Sequence, residues 1–141
     1  MIKIQKESFN VEKEIQLVIS KLENVGAIST FIGYVRNTNN KKKVSSIDLE
    51  LYEDMAKKTL DEIIYKTCQK WDLLDTLIIH RYGKLNISEK IVLVATFSQH
   101  RHDSMRACEF IMEYLKKDAP FWKKEYYKDS YKWLENAKLK N

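Results

Sequence analysis

Glycine and proline are scarce in this chain, which has three glycines and one proline among its 141 residues. Because tight turns favour these two residue types, their scarcity predicts regular helices and strands with few elaborate loops. The longest uninterrupted apolar run, Ile91 to Ala95, is far shorter than the roughly 20 residues that a membrane helix needs. The N-terminus lacks the apolar segment of a signal peptide, so we expect neither export nor membrane association.

Cysteine and histidine patterns typical of metal binding are also missing. The two cysteines, Cys68 and Cys108, form no CxxC pair, and the three histidines form no HxxxH pair. The sequence therefore predicts no metal site and no cofactor. We interpret both cysteines as reduced thiols on apolar helical faces, which predicts a cytoplasmic protein. No P-loop, GxGxxG motif or Ser-His-Asp order occurs in the sequence.

The size and composition predict a single domain that spans residues 1–141. Hydrophobic residues make up 44% of the chain and charged residues 32%, which is ordinary for a globular domain with a sizeable core. The formal net charge of +5 permits nucleic acid, an acidic protein or a phosphorylated small molecule as a partner. Charge alone does not choose among these three classes.

Hydrophobic periodicity predicts about three helices and a mainly antiparallel sheet without a strict βαβ rhythm, which is an α+β fold. Asn10 is the predicted N-cap of the first helix, and Gly33, inside a strand, predicts a bulge. Met105 and Met112 are predicted core residues of the third helix. Residues 37–43 carry no apolar side chain and are predicted to be a mobile basic loop. The predicted elements are strands at 2–9, 25–35, 47–51, 76–82 and 91–98, helices at 11–22, 55–71 and from about 101 to 115, and an extended tail at 126–134.

The segment from Lys116 to Glu125, KKDAPFWKKE, combines four lysines with the only proline. Proline lacks the N–H and clashes with the preceding turn, so the helix must end before Pro120. We expect the chain to turn at 119–120 and to bring Lys123 back toward Lys116. Two lysines above an apolar floor formed by the Phe-Trp pair suit an anionic or acyl substrate. Repulsion between clustered cations would also lower a lysine pKa.

A second cationic cluster, His100-Arg101-His102, lies where an apolar strand gives way to a helix. Cations oppose the helix macrodipole at that end, so the cluster is explained if an anion binds there to exposed N–H groups and side chains. Arg36, at the end of a strand, is a candidate for the same place. The alternative is that these side chains are solvated surface charges. His80 is predicted to be a partly buried histidine whose hydrogen bonds are satisfied.

Four strings of the sequence, taken in order, carry a resemblance to a known family. They are FIGYVR (31–36), IIHRYGKL (78–85), HR (100–101) and FIMEYLKKDAPFWKKE (110–125). Together they resemble the large, catalytic subunit of molybdopterin synthase over nearly the whole chain, from about residue 2 to residue 138. The last string is highly specific. The resemblance implies an α/β hammerhead-type fold.

The resemblance also implies an activity and an assembly. Large subunits of that family form a central homodimer, and each binds a small ubiquitin-like sulfur carrier, which gives a heterotetramer. The C-terminal Gly-Gly tail of the carrier ends in a thiocarboxylate, and its sulfur converts cyclic pyranopterin monophosphate to molybdopterin by installing the dithiolene. The resemblance therefore implies a sulfurtransferase of molybdenum cofactor biosynthesis with no nucleic-acid and no membrane partner.

Individual residues receive roles from the same resemblance. Lys116 and Lys123 match the two catalytic lysines. Residues matched to substrate binding are Arg36, His100, Arg101, Lys116 and Lys123, and residues matched to the channel for the carrier tail are Phe31 and Met112. Ser88 and Ser130 stand where the family often has glycine, and Lys138 is the cation nearest to an arginine that the family often carries near its C-terminus. These departures affect turns and the rim of the predicted site.

The sequence is also compatible with a different class of protein, a basic non-enzymatic module that binds RNA or an acidic protein. Its binding platform would be the aromatic side chains interleaved with lysines from Trp122 to Trp133. A nucleic-acid binder loses affinity steeply as salt rises. Sulfur transfer requires a dedicated thiocarboxylate partner instead, so the two classes are separable by experiment.

Overall fold

The computed structural model describes residues 1–39, 42–118, 121–127 and 131–134, with the backbone alone at 39, 42 and 131–134. Within these ranges the chain forms three helices and ten strands, which confirms the predicted α+β class. None of the three helices is long and apolar enough to cross a membrane. The helices are α1 (Val11–Ile19), α2 (Glu53–Lys70) and α3 (Arg101–Asp118). The strands are β1 (Ile2–Gln5), β2 (Ala27–Tyr34), β3 (Thr38–Asn39), β4 (Lys42–Lys43), β5 (Ser46–Leu51), β6 (Asp75–Arg81), β7 (Gly83–Asn86), β8 (Lys90–Ser98), β9 (Phe121–Tyr126) and β10 (Tyr131–Leu134).

The larger sheet has four strands in the order β1-β6-β8-β2. β1 pairs with β6 in parallel, and the other two pairings are antiparallel, as the prediction of a mainly antiparallel sheet requires. Successive side chains of a strand point to opposite faces. Leu77 and Ile79 therefore pack against α1, while Ile78 packs against α2 and α3. The larger sheet is thus buried on both faces.

A smaller sheet has the order β10-β9-β5-β7 and is antiparallel throughout. Ile47, Leu49 and Leu85 form its buried core with two neighbouring valines. Its strand β9 begins at Phe121, which packs into the hydrophobic cluster beneath α2 and α3. Phe121 therefore joins the two sheets and places β9 beside the end of α3.

The start of α1 and the bulge in β2 agree with the sequence predictions. The Lys13 N–H donates to Oδ1 of Asn10 at 2.9 Å, which satisfies one of the free N–H groups at the start of a helix. The register between β2 and β8 shifts between Gly33 and Tyr34, as a bulge produces. The two predictions, an N-cap at Asn10 and a bulge at Gly33, are therefore confirmed.

Two predicted core positions are wrong. The buried side of α3 is formed by Ser104, Ala107, Cys108, Ile111 and Leu115. Met105 lies outside this stripe and is 60% exposed, because Ser104 and Cys108 occupy the side of the helix that is buried. Cys68 is exposed at the end of α2. Thr67 faces inward in its place, and its hydroxyl donates to the Ile63 carbonyl at 2.6 Å.

Short strands without a hydrophobic pattern are missing from the sequence prediction. β7 pairs with β5, but Leu85 is its only buried side chain, so periodicity gives little signal there. Residues 37–43, predicted to be a loop, contain the antiparallel pair β3 and β4, which main-chain hydrogen bonds define. Positions 40 and 41 of this segment lie outside the described residues. β1 ends at Gln5 instead of near Phe9, whose side chain is buried with α1.

Candidate active site

A cavity of about 190 Å³ lies between the end of α3, the smaller sheet and the larger sheet. Most of its wall is apolar. The lining residues are Phe31 from β2, Ile47 and Leu49 from β5, His80 from β6, Ile91 and Val92 from β8, Met112, Glu113, Leu115 and Lys116 from α3, and Phe121 and Lys123 from β9. Four residues singled out in the sequence, Phe31, Met112, Lys116 and Lys123, thus line one space.

The two lysines reach the cavity from different elements. Lys116 is an exposed side chain in the last turn of α3, where the helix dipole favours a cation. Lys123 lies on β9, where strand alternation places it on the same face as Phe121 and Glu125. Its side chain is only 12% exposed. The turn predicted at 119–120 lies outside the described residues, and the helix before it and the strand after it meet at the cavity.

Lys123 is a largely buried cation with a buried carboxylate beside it. Its Nζ lies 3.5 Å from Oε2 of Glu125, whose side chain is 2% exposed. Burial is the largest influence on the pKa of Lys123 and lowers it, and repulsion from Arg36 acts in the same direction, while Glu125 raises it. Repulsion between cations is the cause predicted from the sequence, but burial has the larger effect. Lys123 therefore gives up its proton more readily than an ordinary lysine.

Glu125 is a residue of the site that the sequence argument did not identify. Besides its ion pair with Lys123, it accepts a hydrogen bond from the Tyr127 hydroxyl at 3.0 Å. Burial and this hydrogen bond raise the pKa of Tyr127, so the hydroxyl remains a donor. Arg36, Lys123 and Glu125 line a small pocket next to the cavity, which we call the Arg36 pocket. The period-two alternation of Phe121, Lys123 and Glu125 was the available sequence signal.

An open groove between β2 and α3 adjoins the cavity. Phe31, Met112 and Glu113 line both the groove and the cavity. The other residues of the groove are Ser29, Thr30, Met105, Cys108 and Glu109. Lys123 lines both the cavity and the Arg36 pocket. The groove, the cavity and the Arg36 pocket are therefore neighbours with shared wall residues, and Lys123 belongs to the walls of the last two.

His80 is more deeply buried than the sequence predicted, at 7% exposed, and it lines the cavity. Its Nδ1 is 2.8 Å from the carbonyl oxygen of Arg81. The ring stacks on Phe121 with 3.8 Å between centroids and 10° between planes. Burial lowers the pKa of His80 to about 4, so the imidazole is neutral near neutral pH.

His100 and Arg101 do not reach this cavity within one copy of the chain. Both are exposed at the start of α3, and the helix from Arg101 to Lys116 is about 22 Å long. β2 runs antiparallel to β8, so Arg36, just past the end of β2, lies near the start of β8 and far from Ser98 at its end. The predicted site residues therefore separate into two groups at opposite ends of α3.

The fold and the cavity together define a class, an α+β protein with two lysines in the wall of a cavity beside an open groove. The model of the MoaE protein family matches residues 4–118. The chain belongs to this family. The resemblance found in the sequence is thereby confirmed.

Curated relatives and solved structures agree with this membership. The molybdopterin synthase catalytic subunit of Ralstonia nicotianae is 44% identical over 134 residues, covering 95% of this chain and 76% of the relative. That of Pseudomonas aeruginosa is 39% identical, covering 95% and 89%. The molybdopterin synthase structure from Staphylococcus aureus superposes with a TM-score of 0.87 at 37% identity, covering 94% and 95%. The molybdopterin biosynthesis MoaE protein from Burkholderia ambifaria gives 0.86 at 35% identity, covering 100% and 92%.

Proposed function

We propose that this chain is the catalytic subunit of a molybdopterin synthase, a sulfurtransferase of molybdenum cofactor biosynthesis. It transfers sulfur from the C-terminal thiocarboxylate of a small ubiquitin-like carrier to cyclic pyranopterin monophosphate. The observation that carries the proposal is that the groove, the cavity and the Arg36 pocket adjoin one another, with Lys116 and Lys123 in the cavity wall. The shared name of the relatives, a catalytic subunit of this enzyme, supports the same function.

The groove and cavity suit an extended chain that ends in glycine. A Gly-Gly tail has no side chains, so it can pass between Phe31 and Met112 where the groove meets the cavity. Apolar walls at that point keep water away from the anionic end of the tail. In such a low-dielectric space the attraction between a thiocarboxylate and a lysine is stronger than in water.

The two lysines have different environments and, in this proposal, different roles. Lys116 is exposed and in the last turn of α3, and it pairs with the thiocarboxylate and polarises it. Lys123 has a pKa lowered mainly by burial, which makes it the better proton acceptor. Glu125 holds the Lys123 ammonium when the proton is present. Orientation of both groups around one cavity is the condition for transfer.

We place an anionic group of the pterin at the Arg36 pocket, because such a group suits Arg36 and Lys123, and the pocket's volume of about 10 Å³ admits only a small part of the ligand. His100 and Arg101, about 22 Å along α3, cannot contact the same ligand from the same copy. We therefore infer that a second copy of the chain supplies them in a homodimer. With one carrier on each copy, the assembly is a heterotetramer. We place it in the cytoplasm, where the free thiols of Cys68 and Cys108 stay reduced.

The test combines the purified chain, the thiocarboxylated carrier and cyclic pyranopterin monophosphate, with molybdopterin measured by mass spectrometry. We expect product with the full carrier and none with a carrier that lacks its last two glycines. Light scattering should show a homodimer alone and a heterotetramer with the carrier. A monomer that forms no product and ignores the carrier, but binds RNA with a steep salt dependence, would support the basic binding module instead.

Bulk at the junction of groove and cavity provides a second test. Met112→Trp should block passage of the tail and abolish product, while the homodimer and the fold persist. The matched control is Met105→Trp, because Met105 lies in the groove but outside the cavity wall and is largely exposed. Product formation by Met112→Trp at the wild-type rate would mean that the tail takes another route.

A further inference from the structure

His80 is a buried imidazole on a strand face that is otherwise apolar. It follows Ile78 by two residues and so shares its face of the larger sheet. Ile78 is fully buried in the hydrophobic cluster beneath α2 and α3. The flat stacking on Phe121 holds the ring in one orientation. A polar ring at such a position is costly unless its nitrogens find partners.

One ring nitrogen has its partner in the protein, and the other does not. A carbonyl oxygen can only accept, so Nδ1 carries the proton that it donates to Arg81, and Nε2 of the neutral ring carries a lone pair. Among the described residues no group hydrogen-bonds to Nε2. No described side-chain nitrogen is both sealed from solvent and without a partner. Nε2 is therefore accessible, and the space that His80 lines is the cavity.

The neutral imidazole of His80 provides a hydrogen-bond acceptor in a cavity whose other polar lining residues are charged. The charged residues that line the cavity with His80 are Glu113, Lys116 and Lys123. The lysines donate, and Glu113 is an exposed side chain on the groove side. Among the described residues that line the cavity, His80 is thus the buried polar side chain that can accept a hydrogen bond. Burial keeps its pKa low, so the ring does not add a third positive charge beside the lysines.

A peptide tail in this cavity has the complementary groups. Its anionic end matches the lysines, but its backbone N–H groups leave water as well and need acceptors. We propose that Nε2 of His80 accepts a hydrogen bond from a backbone N–H of the carrier's Gly-Gly tail, which makes His80 a specificity-determining residue for that tail. The inference rests on the proposed function. The tail, not the pterin, is the donor, because His80 lines the cavity and is not among the described residues of the Arg36 pocket.

The test measures carrier affinity by calorimetry for the wild type, His80→Leu and His80→Gln. Leucine removes the acceptor, whereas the glutamine side-chain oxygen can take the place of Nε2. With the full carrier, His80→Leu should bind about tenfold more weakly, as expected for one lost buried hydrogen bond, and His80→Gln should stay within about threefold of the wild type. With a carrier that lacks its last two residues, all three proteins should bind equally.

A second measurement uses the wild-type chain with altered carriers, so it tests the inference even if His80→Leu does not fold. Each tail glycine of the carrier is replaced in turn by N-methylglycine, which lacks the N–H. One of the two carriers should bind the wild type about tenfold more weakly. Equal affinity of both N-methylated carriers and the normal carrier would overturn the inference, as would an equal loss by His80→Leu for full and truncated carriers. A wild-type chain that neither binds the carrier nor forms product would instead overturn the proposed function.

Discussion

Cations lie at both ends of α3, but only at the C-terminal end is one of them, Lys123 of β9, largely buried. At the start of the helix His100 and Arg101 are exposed, and water and salt screen their charge. At the other end Lys123 lies beneath the helix with Glu125 and Arg36 around it. An exposed cation can bind an anion, but its proton affinity stays near the ordinary value. Burial of a lysine also lowers its pKa, as at Lys123. Cations at either end of α3 can bind an anion, whereas the lowered lysine pKa is found at Lys123, beside the C-terminal end.

The same contrast exists inside the cavity itself. Lys116 is exposed and Lys123 is nearly enclosed, although both line one space. A lysine of the first kind can be replaced with little effect on folding. A lysine of the second kind supports a buried carboxylate, so its replacement affects stability as well. Variants at the two ends of α3, and at the two lysines, therefore separate catalysis from folding.

Lys116→Ala should give the largest effect on activity. We expect molybdopterin formation to fall at least about 100-fold, because a positioned charge at the reacting group is removed. The melting temperature should stay close to the wild type, since Lys116 is exposed. Lys117→Ala is the matched control, an exposed neighbour outside the described cavity wall. Turnover of Lys116→Ala within a few-fold of the wild type would exclude Lys116 as a catalytic residue.

Acid should destabilise the buried end of α3 through His80. The ordinary histidine pKa is 6.5 and that of folded His80 is about 4, so between these values the unfolded chain binds a proton that the folded chain does not. Stability is full above pH 6.5 and falls as the pH drops toward 4, by about 3 kcal/mol from this residue. Urea unfolding at pH 7 and pH 4 should show a smaller loss for His80→Gln than for the wild type.

The matched control for this measurement is His102→Gln, which removes a histidine at the exposed end of α3. It should keep the acid sensitivity of the wild type. If His80→Gln loses as much stability between pH 7 and pH 4 as the wild type does, His80 is not the group responsible.

Lys123→Ala should lower both turnover and stability. The substitution removes the contact between Lys123 and the buried Glu125 carboxylate, which we expect to cost about 2 kcal/mol in the free energy of unfolding. Adding Glu125→Gln should recover part of the stability but not the turnover. Lys124→Ala, on the opposite face of β9, is the control. Full stability of Lys123→Ala would show that Glu125 has a sufficient partner elsewhere.

Arg101→Ala and His100→Ala should give the smallest effects, at the exposed end. Each should weaken binding of the phosphorylated pterin to the homodimer by about fivefold, as expected for one solvent-exposed contact to an anion. Neither should change the melting temperature. Calorimetry with the pterin, and with inorganic phosphate as a simpler probe, measures the change. Unchanged affinity in both variants would place the anionic group of the pterin at Arg36 alone.

Most of the fold could be predicted because burial leaves a periodic pattern in the sequence. Ile47, Leu49 and Leu51 alternate with polar residues, and the structure has strand β5 there. Strands β3, β4 and β7 could not be predicted from hydrophobic periodicity. Main-chain pairing defines β3 and β4, and β7 contributes a single buried side chain, Leu85, to the core. Met105 was wrongly predicted to be a core residue because it is apolar and adjoins the buried stripe of α3. The position of the helix on the sheet, which decides the residues that belong to that stripe, is not visible in the sequence.

The candidate site shows a similar limit. The lysines at 116 and 123 stand out by composition and chain order, but their partners depend on tertiary contacts. Glu125 becomes a partner of Lys123 only because β9 turns the two side chains to one face. The cavity position of His80 depends on how the smaller sheet lays Phe121 over it. The sequence also does not show that Arg36 and His100 lie at opposite ends of the sheet.

The attachment of the smaller sheet has a consequence for how this protein loses activity on heating. Lys116 belongs to α3 and Lys123 to β9, and Phe121 is the contact that docks β9 against the helices. Units of structure with separate cores open at different free energies. If the smaller sheet loosens first, the gap between the two lysines widens while all three helices persist. Heat inactivation should then precede the loss of helical circular dichroism, and amide hydrogens of β5 and β9 should exchange before those of α3.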